Sequence, residues 1–148
     1  MNQLILLVED NEDDAFFMQR ALRQAGIEHQ LQIIPDGQQA LDYLGGTGKY
    51  ADRNAYPLPS IVFLDIKLPY KSGLEVLAWI RQQPDFEKLI VIILTSSSEP
   101  IDLKRAYQLG ANSFVVKPPT PEQLLELASA FKLWWLKQNK VGVDLPPA

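Results

Sequence analysis

No cysteine occurs in this chain, and histidine occurs once, at His29. The first absence excludes disulfides, zinc–thiolate sites and thiol nucleophiles; the second excludes a metal centre built from several imidazoles. Basic residues are in deficit: 14 Lys and Arg against 18 Asp and Glu give a formal charge of −4. A nucleic-acid binder needs a concentrated basic face to release phosphate counterions, and no run of Lys and Arg supplies one. Long apolar runs are missing too, so nothing approaches membrane-spanning length. The opening run Leu4–Val8 is too short for a signal-peptide core and follows no basic segment. These absences point to a soluble, cytoplasmic protein that engages neither nucleic acid nor membrane.

What is present is enough apolar content, 47% of 148 residues, for one packed domain. A chain of this length buries about two thirds of the surface its unfolded form exposes. The expected organisation is a single domain over 1–148, with a core at about 4–140 and a frayed tail at 141–148. Four short apolar runs end at polar residues: Leu4–Val8 at Glu9 and Asp10, Ile61–Leu64 at Asp65, Leu89–Leu94 at Thr95, and Ser113–Val116 at Lys117. Continuous apolar runs of strand length read as strands buried on both faces, as in parallel sheets. Leu31–Ile34 adds a fifth strand.

Helical patterns alternate with these strands. Asn11 to Asp14 reads as a capped, acidic helix start, followed by Phe17, Ala21 and Ala25 with Met18 and Leu22 at helical spacing up to Gly26. Further helices are expected over Gln38–Leu44, Leu74–Gln82, Glu99–Leu109 and Pro121–Asn139, while Gly45–Pro59 reads as a long surface loop. Five β/α repeats with right-handed crossovers give a flavodoxin-like, doubly wound parallel sheet with helices on both faces. Its strand order, 2-1-3-4-5, makes strands one and three neighbours at the switch point, where ligands bind beyond the strand ends. Glu9, Asp10 and Asp65 then converge.

Three gathered carboxylates repel, and burying each unpaired would cost several kcal/mol. A Mg²⁺ ion with the ammonium of Lys117 supplies three positive charges against three negative ones, and hard oxygen ligands suit that ion. A carboxylate such as Asp65 can attack a phosphoryl group and carry it as an acyl phosphate, with the metal stabilising the transferring oxygens. Thr95 and Lys117, on neighbouring strand ends, are placed to meet those oxygens.

Val8-Glu9-Asp10, Leu64-Asp65-Ile66-Lys67-Leu68-Pro69, Leu94-Thr95-Ser96 and Val116-Lys117-Pro118 resemble the motifs of response regulator receiver domains, in order and spacing, over about Leu4 to Leu136. The resemblance implies that Asp65 is the phosphoacceptor and that Asp10 and Asp65 ligate Mg²⁺ directly. Glu9 would act through a metal-bound water and Lys67 through its backbone carbonyl. It further implies that Thr95 is the switch hydroxyl, Lys117 the phosphate partner, Phe114 the aromatic that turns inward on activation, and Lys117–Pro118 a cis peptide. Glu9 stands where Asp is commoner, and Pro119 where an aromatic often follows Lys-Pro. Lys67 and Ser97 hold the variable positions that tune phosphoryl lifetime in relatives.

The Gly45–Pro59 insertion, the Lys-Leu-Pro after Asp65 and the ending Phe131…Trp134-Trp135-Leu136 resemble the stand-alone receivers that partner bacterial phytochrome histidine kinases. The chain ends with its fifth helix, so no output domain is expected. The function implied is phosphorelay signalling with a sensor histidine kinase, the protein catalysing only its own phosphorylation and dephosphorylation.

Rival readings fit less well. A Mg²⁺-dependent phosphohydrolase with an Asp nucleophile usually carries a second Asp two residues on, where Lys67 stands. A receiver that is never phosphorylated would not need so complete a pocket. Flavin binding wants a phosphate-binding loop after the first strand, and Glu9-Asp10-Asn11-Glu12 has the wrong charge. Gly45–Tyr50 lacks the phosphate-loop spacing and the Ser/Thr after Lys49. His29 is expected to lie exposed in a turn. In the last helix, Leu124, Leu127, Ala128, Phe131 and Trp135 share one face, and Leu125, Leu133 and Leu136 lie on another. A helix apolar on two faces usually buries both, which suggests a protein interface, most simply a homodimer.

Overall fold

The computed structural model describes residues 4–27 and 31–139, with side chains as far as Leu133. Strands β1 (Ile5–Val8), β2 (Leu31–Ile34), β3 (Ile61–Leu64), β4 (Ile90–Thr95) and β5 (Ser113–Val116) alternate with helices α1 (Glu12–Gln24), α2 (Gly37–Gly45), α3 (Gly73–Gln82), α4 (Pro100–Gln108) and α5 (Pro121–Asn139). The strands form one parallel, flavodoxin-like sheet in the order 2-1-3-4-5. Every residue of β1 and β3 is buried, as continuous apolar runs require at the centre of such a sheet. Register sets Ile5 opposite Ile61 and Val8 opposite Leu64, so the residues after both strands emerge side by side. Among the described residues no helix is long and apolar enough to cross a membrane.

Two compact units divide the described residues, 4–15 with 31–117 and 16–27 with 118–139. The first holds the sheet with α2, α3 and α4. Its core joins Leu6, Val8, Val62, Leu64, Val91 and Ile93 to Ala40, Leu44, Val76, Leu77 and Ile80. Asp36 caps α2 by accepting the Gln39 N–H at 2.7 Å. At the start of α3, Ser72 and Glu75 form a reciprocal capping box.

In the second unit Met18, Ala21 and Leu22 are buried, whereas Phe17 is exposed with Phe16, and the Arg20 guanidinium lies 5.4 Å from the Phe17 ring centroid. Met18, Ala21 and Leu22 thus lie on the buried stripe as their spacing predicts, and Phe17 alone among the buried-face candidates of that first stretch turns outward. On α5, Ala128 and Phe131 are buried and Leu133 is exposed, but Leu125 is half-buried where an exposed second face was expected. The side chains of Trp134, Trp135 and Leu136 lie outside the described residues, as do His29 and the tail. Among the described residues no peptide bond is cis, Lys117–Pro118 included, which corrects the expected geometry there. An X–Pro bond prefers trans by about 0.5–1 kcal/mol unless local packing reverses it.

The stretch expected as irregular loop is instead built. It contains a 3₁₀ turn, Gly48–Ala51, and packs Tyr50 and Tyr56 against Tyr43 of α2 with ring centroids 5.0 to 6.0 Å apart. The Tyr43 hydroxyl donates to the Pro57 carbonyl at 2.7 Å. Arg53 donates to the carbonyls of Tyr43 and Leu44 at 2.7 and 2.9 Å, satisfying the free end of α2. A second guanidinium does similar work across the sheet edge. Arg81 on α3 donates to the carbonyls of Phe86, Leu89 and Gly110 and to Asn112 Oδ1, at 3.2, 2.8, 2.8 and 2.8 Å.

Truncation of Arg81 leaves those acceptors unpaired. Arg81→Ala lowers the unfolding free energy by about 2–4 kcal/mol, and Arg81→Lys recovers less than half, because an ammonium cannot reproduce the planar fork; urea denaturation measures both. Burial pushes the Tyr43 phenol up to about 12, against the pull of Arg53. In the unfolded chain it ionises near 10. The stability tied to it is thus fully present below pH about 10 and is lost as pH climbs through about 12. The unfolding free energy from urea denaturation falls more steeply across that range for the parent than for Tyr43→Phe.

Candidate functional site

The site begins at the central strand pair. Glu9 N–H donates to the Ile34 carbonyl at 2.9 Å and Asp65 N–H to that of Val8 at 3.2 Å, so both acids continue the ladder. Glu9 and Asp65 are buried and Asp10 is exposed; one carboxylate oxygen from each gathers within 4.8 Å of the others. Lys117, one residue beyond β5, donates its backbone N–H to the Thr95 carbonyl at 2.8 Å. Its ammonium reaches Glu9 Oε1 at 2.6 Å, Asp65 Oδ2 at 2.8 Å and Asp14 Oδ2 at 3.0 Å. Asp65 Oδ1 accepts the Lys67 N–H at 3.4 Å, and Glu9 Oε2 that of Asn11 at 3.2 Å.

The loop after Asp65 is pinned from below. A side chain at Gly73 would collide with the Asp65 carbonyl, so only glycine lets α3 start so close to the acid. The Pro69 carbonyl accepts N–H groups from Lys71 at 2.8 Å and Gly37 at 3.2 Å. Tyr70, between them, holds a left-handed φ of 68°, uncommon for an aromatic residue. On the neighbouring strand Thr95 is fully buried, its Oγ1 accepting the Ser97 N–H at 3.3 Å. The Ser97 hydroxyl donates to Asp102 of α4 at 2.6 Å. Phe114 in β5 is half-buried against the core, and its N–H donates to the Tyr107 hydroxyl at 3.1 Å.

Charge is unbalanced here. Four carboxylates face one ammonium, a formal surplus of three negative charges. Burial pushes Glu9 up to about 7, with the Asp65 charge adding to it and the hydrogen bonds from Lys117 and Asn11 opposing it. Burial alone would lower Lys117, but its hydrogen bonds to Asp65, Glu9 and Asp14 outweigh that and raise it above an ordinary lysine. The two directions agree: the lone cation stays charged, and the most confined acid is the one that gives up charge. A cluster of hard oxygen donors with surplus negative charge fits a divalent cation. When bound, such an ion would offset the surplus charge of the acids.

The response regulator receiver domain family model matches residues 5–129. This chain belongs to that family. Response regulator Rcp1 of Synechocystis sp. is 35% identical over 146 residues, covering 99% of this chain and 95% of its own. The crystal structure of the Mn²⁺-bound form of Rcp1 superposes with a TM-score of 0.82 at 35% identity, covering 91% of this chain and 95% of that one. The phosphorylated cyanobacterial phytochrome response regulator RcpA superposes with a TM-score of 0.85 at 32% identity, covering 93% and 96%. The chain is therefore a receiver-domain response regulator related to phytochrome response regulators, a family that works with sensor histidine kinases.

The structure brings Glu9, Asp10, Asp65 and Lys117 together, with Thr95 and Phe114 on the two adjoining strands. In the sequence Asp14 reads only as a helix-start acid, yet the fold brings its carboxylate to the Lys117 ammonium. Asp102, at the start of α4, joins the site through Ser97, which stands five residues before it. Removing Lys117 leaves buried acids unpaired, so Lys117→Met destabilises the metal-free protein by about 2–4 kcal/mol. Saturating Mn²⁺ restores most of that loss in urea unfolding, because it binds the folded state alone.

Proposed function

We propose that this receiver is the phosphoacceptor of a two-component phosphorelay, taking a phosphoryl group from a kinase histidine onto Asp65 with Mg²⁺ and switching a protein-interaction surface. The observation that carries the reading is the buried Asp65 carboxylate, one oxygen on the Lys117 ammonium at 2.8 Å and the group itself within a three-acid cluster. An Asp65 oxygen attacks phosphorus, the P–N bond to the kinase imidazole breaks, and the imidazole keeps the electron pair and takes up a proton. Asp10 and Asp65 would hold Mg²⁺ directly, Glu9 through a water, and Lys67 through its backbone carbonyl. Lys117 neutralises the phosphoryl oxygens, and Gly73 and the Pro69 contacts keep Asp65 oriented for its attack on phosphorus. Water attack on phosphorus later returns the carboxylate and inorganic phosphate.

The switch reads the new charge through Thr95. Turning its hydroxyl toward the phosphoryl group gives up the Ser97 N–H and shifts Ser97, which is tied to Asp102 of α4. Phe114, on the next strand, would turn inward as that space opens. A coupling of roughly 1–3 kcal/mol between the two arrangements suffices for control. Mg²⁺-dependent hydrolysis of free phosphomonoesters is disfavoured because Lys67, not an acid, follows Asp65 by two residues.

Likeness to the cyanobacterial phytochrome response regulator RcpA, at 32% identity, supports a phytochrome-like kinase as the phosphoryl donor. Self-association through α5 joins this reading on the strength of Leu133, 72% exposed on a helix whose Ala128 and Phe131 are buried.

Acetyl phosphate with Mg²⁺ adds one phosphoryl group by intact mass, and Asp65→Asn adds none; a phosphorylated Asp65→Asn variant would refute the acceptor assignment. Thr95→Ala keeps the phosphorylation but loses the accompanying shift in amide NMR spectra around α4. Sedimentation of Leu133→Glu at unchanged fold gives a monomer where the parent is a dimer.

A further inference from the structure

The Lys117 ammonium has three hydrogens and three carboxylate partners. Two of them, Glu9 and Asp65, belong to the acid cluster that fits a divalent cation; Asp14 stands outside it. The burial differs in the same way. The Glu9 and Asp65 side chains are 4% and 7% exposed, while Asp14 is 43% exposed at the rim. Asp14 is also fixed from the backbone, its N–H accepted by Asn11 Oδ1 at 2.9 Å in the first turn of α1. A divalent cation and the ammonium compete for the same two inner carboxylates. Any cation that takes Glu9 and Asp65 leaves Lys117 needing somewhere to put its charge.

We propose that Asp14 is a positioning residue for Lys117: it anchors the ammonium at the rim, so that a divalent cation enters the acid cluster without expelling the lysine from the site. This rests on the metal-assisted phosphoacceptor reading and adds to it the residue that lets both cations share the pocket. With Asp14 present, displacement from Glu9 and Asp65 costs Lys117 two of three partners and leaves one. Without it, the ammonium settles wholly onto the inner acids and must be driven off them. Asp14 needs no contact with the metal to do this.

Mn²⁺ titration by calorimetry of the full chain tests the arrangement, in parent and Lys117→Ala backgrounds. Asp14→Ala and Asp14→Asn weaken Mn²⁺ binding about 3- to 10-fold in the parent, the net size of one hydrogen bond at a partly exposed position. Asp14→Glu restores it to within about 2-fold. In the Lys117→Ala background Asp14→Ala changes affinity by less than about 2-fold, since the group it acts through is gone. The Asn variant, which keeps the side-chain shape, guards against a folding defect in the Ala variant. Equal losses in both backgrounds would overturn the proposal, because Asp14 would then act on the cation through its own field. An unchanged affinity with Lys117 in place would overturn it too, while leaving the metal site standing. A parent chain that binds no Mn²⁺ would remove the metal-assisted reading together with this inference.

Discussion

Parallel pairing of β1 with β3 is the constraint from which the site follows. Val8 lies opposite Leu64, and the next residue on each strand is an acid. A slip of one residue would turn every side chain of a strand to the other face and separate Glu9 from Asp65. The register is secured because both strands are apolar throughout and both are buried on each side. Electrostatic repulsion at their ends is therefore imposed by hydrophobic burial elsewhere, and the fold tolerates it.

Lys117 is what makes that repulsion tolerable. It comes from β5, two strands away from β3 in the sheet, and closes the site by reaching back to Asp65 and Glu9. Buried acids with one ammonium between them are a poor device for stability, since desolvation offsets most of the attraction. They are a good device for capturing a small, highly charged ion or a phosphoryl group, where the surplus negative charge and the single lysine are complementary to what arrives. The charge that costs stability here is the same charge the proposed function would use.

Rigidity around the acids has separate sources. Gly73 allows α3 to begin against the Asp65 carbonyl, the Ser72–Glu75 capping box fixes that start, and the Pro69 carbonyl ties the intervening loop to the head of α2. Farther out, Arg81 and Arg53 each satisfy several backbone carbonyls that the chain would otherwise leave unpaired at helix and loop ends. By contrast, the β4–α4 connection depends on few bonds, among them Thr95 to Ser97 and Ser97 to Asp102. An acid whose surroundings hold still beside a loop held by a short chain of hydroxyls is the arrangement a switch needs.

By itself the sequence determined the strands, their order and the inner acids. Apolar runs such as Ile61–Leu64 are local signals, and each ends at a polar residue whose place beyond a parallel strand is dictated by the fold class. The caps at Asp36, Ser72 and Gly46 are local chemistry as well, but only the structure marked them as helix ends. Tertiary structure decided the rest. The Tyr43, Tyr50 and Tyr56 cluster made an ordered element of a stretch that reads as loop, and Arg81 found carbonyls up to 29 residues away. Phe17 turned outward although its spacing suited the buried stripe. Asp14 joined Lys117 across 103 residues. Periodicity and motif spacing report what neighbours along the chain prefer, whereas these partners are chosen by which side chains the packed sheet brings within reach, and no local pattern encodes that.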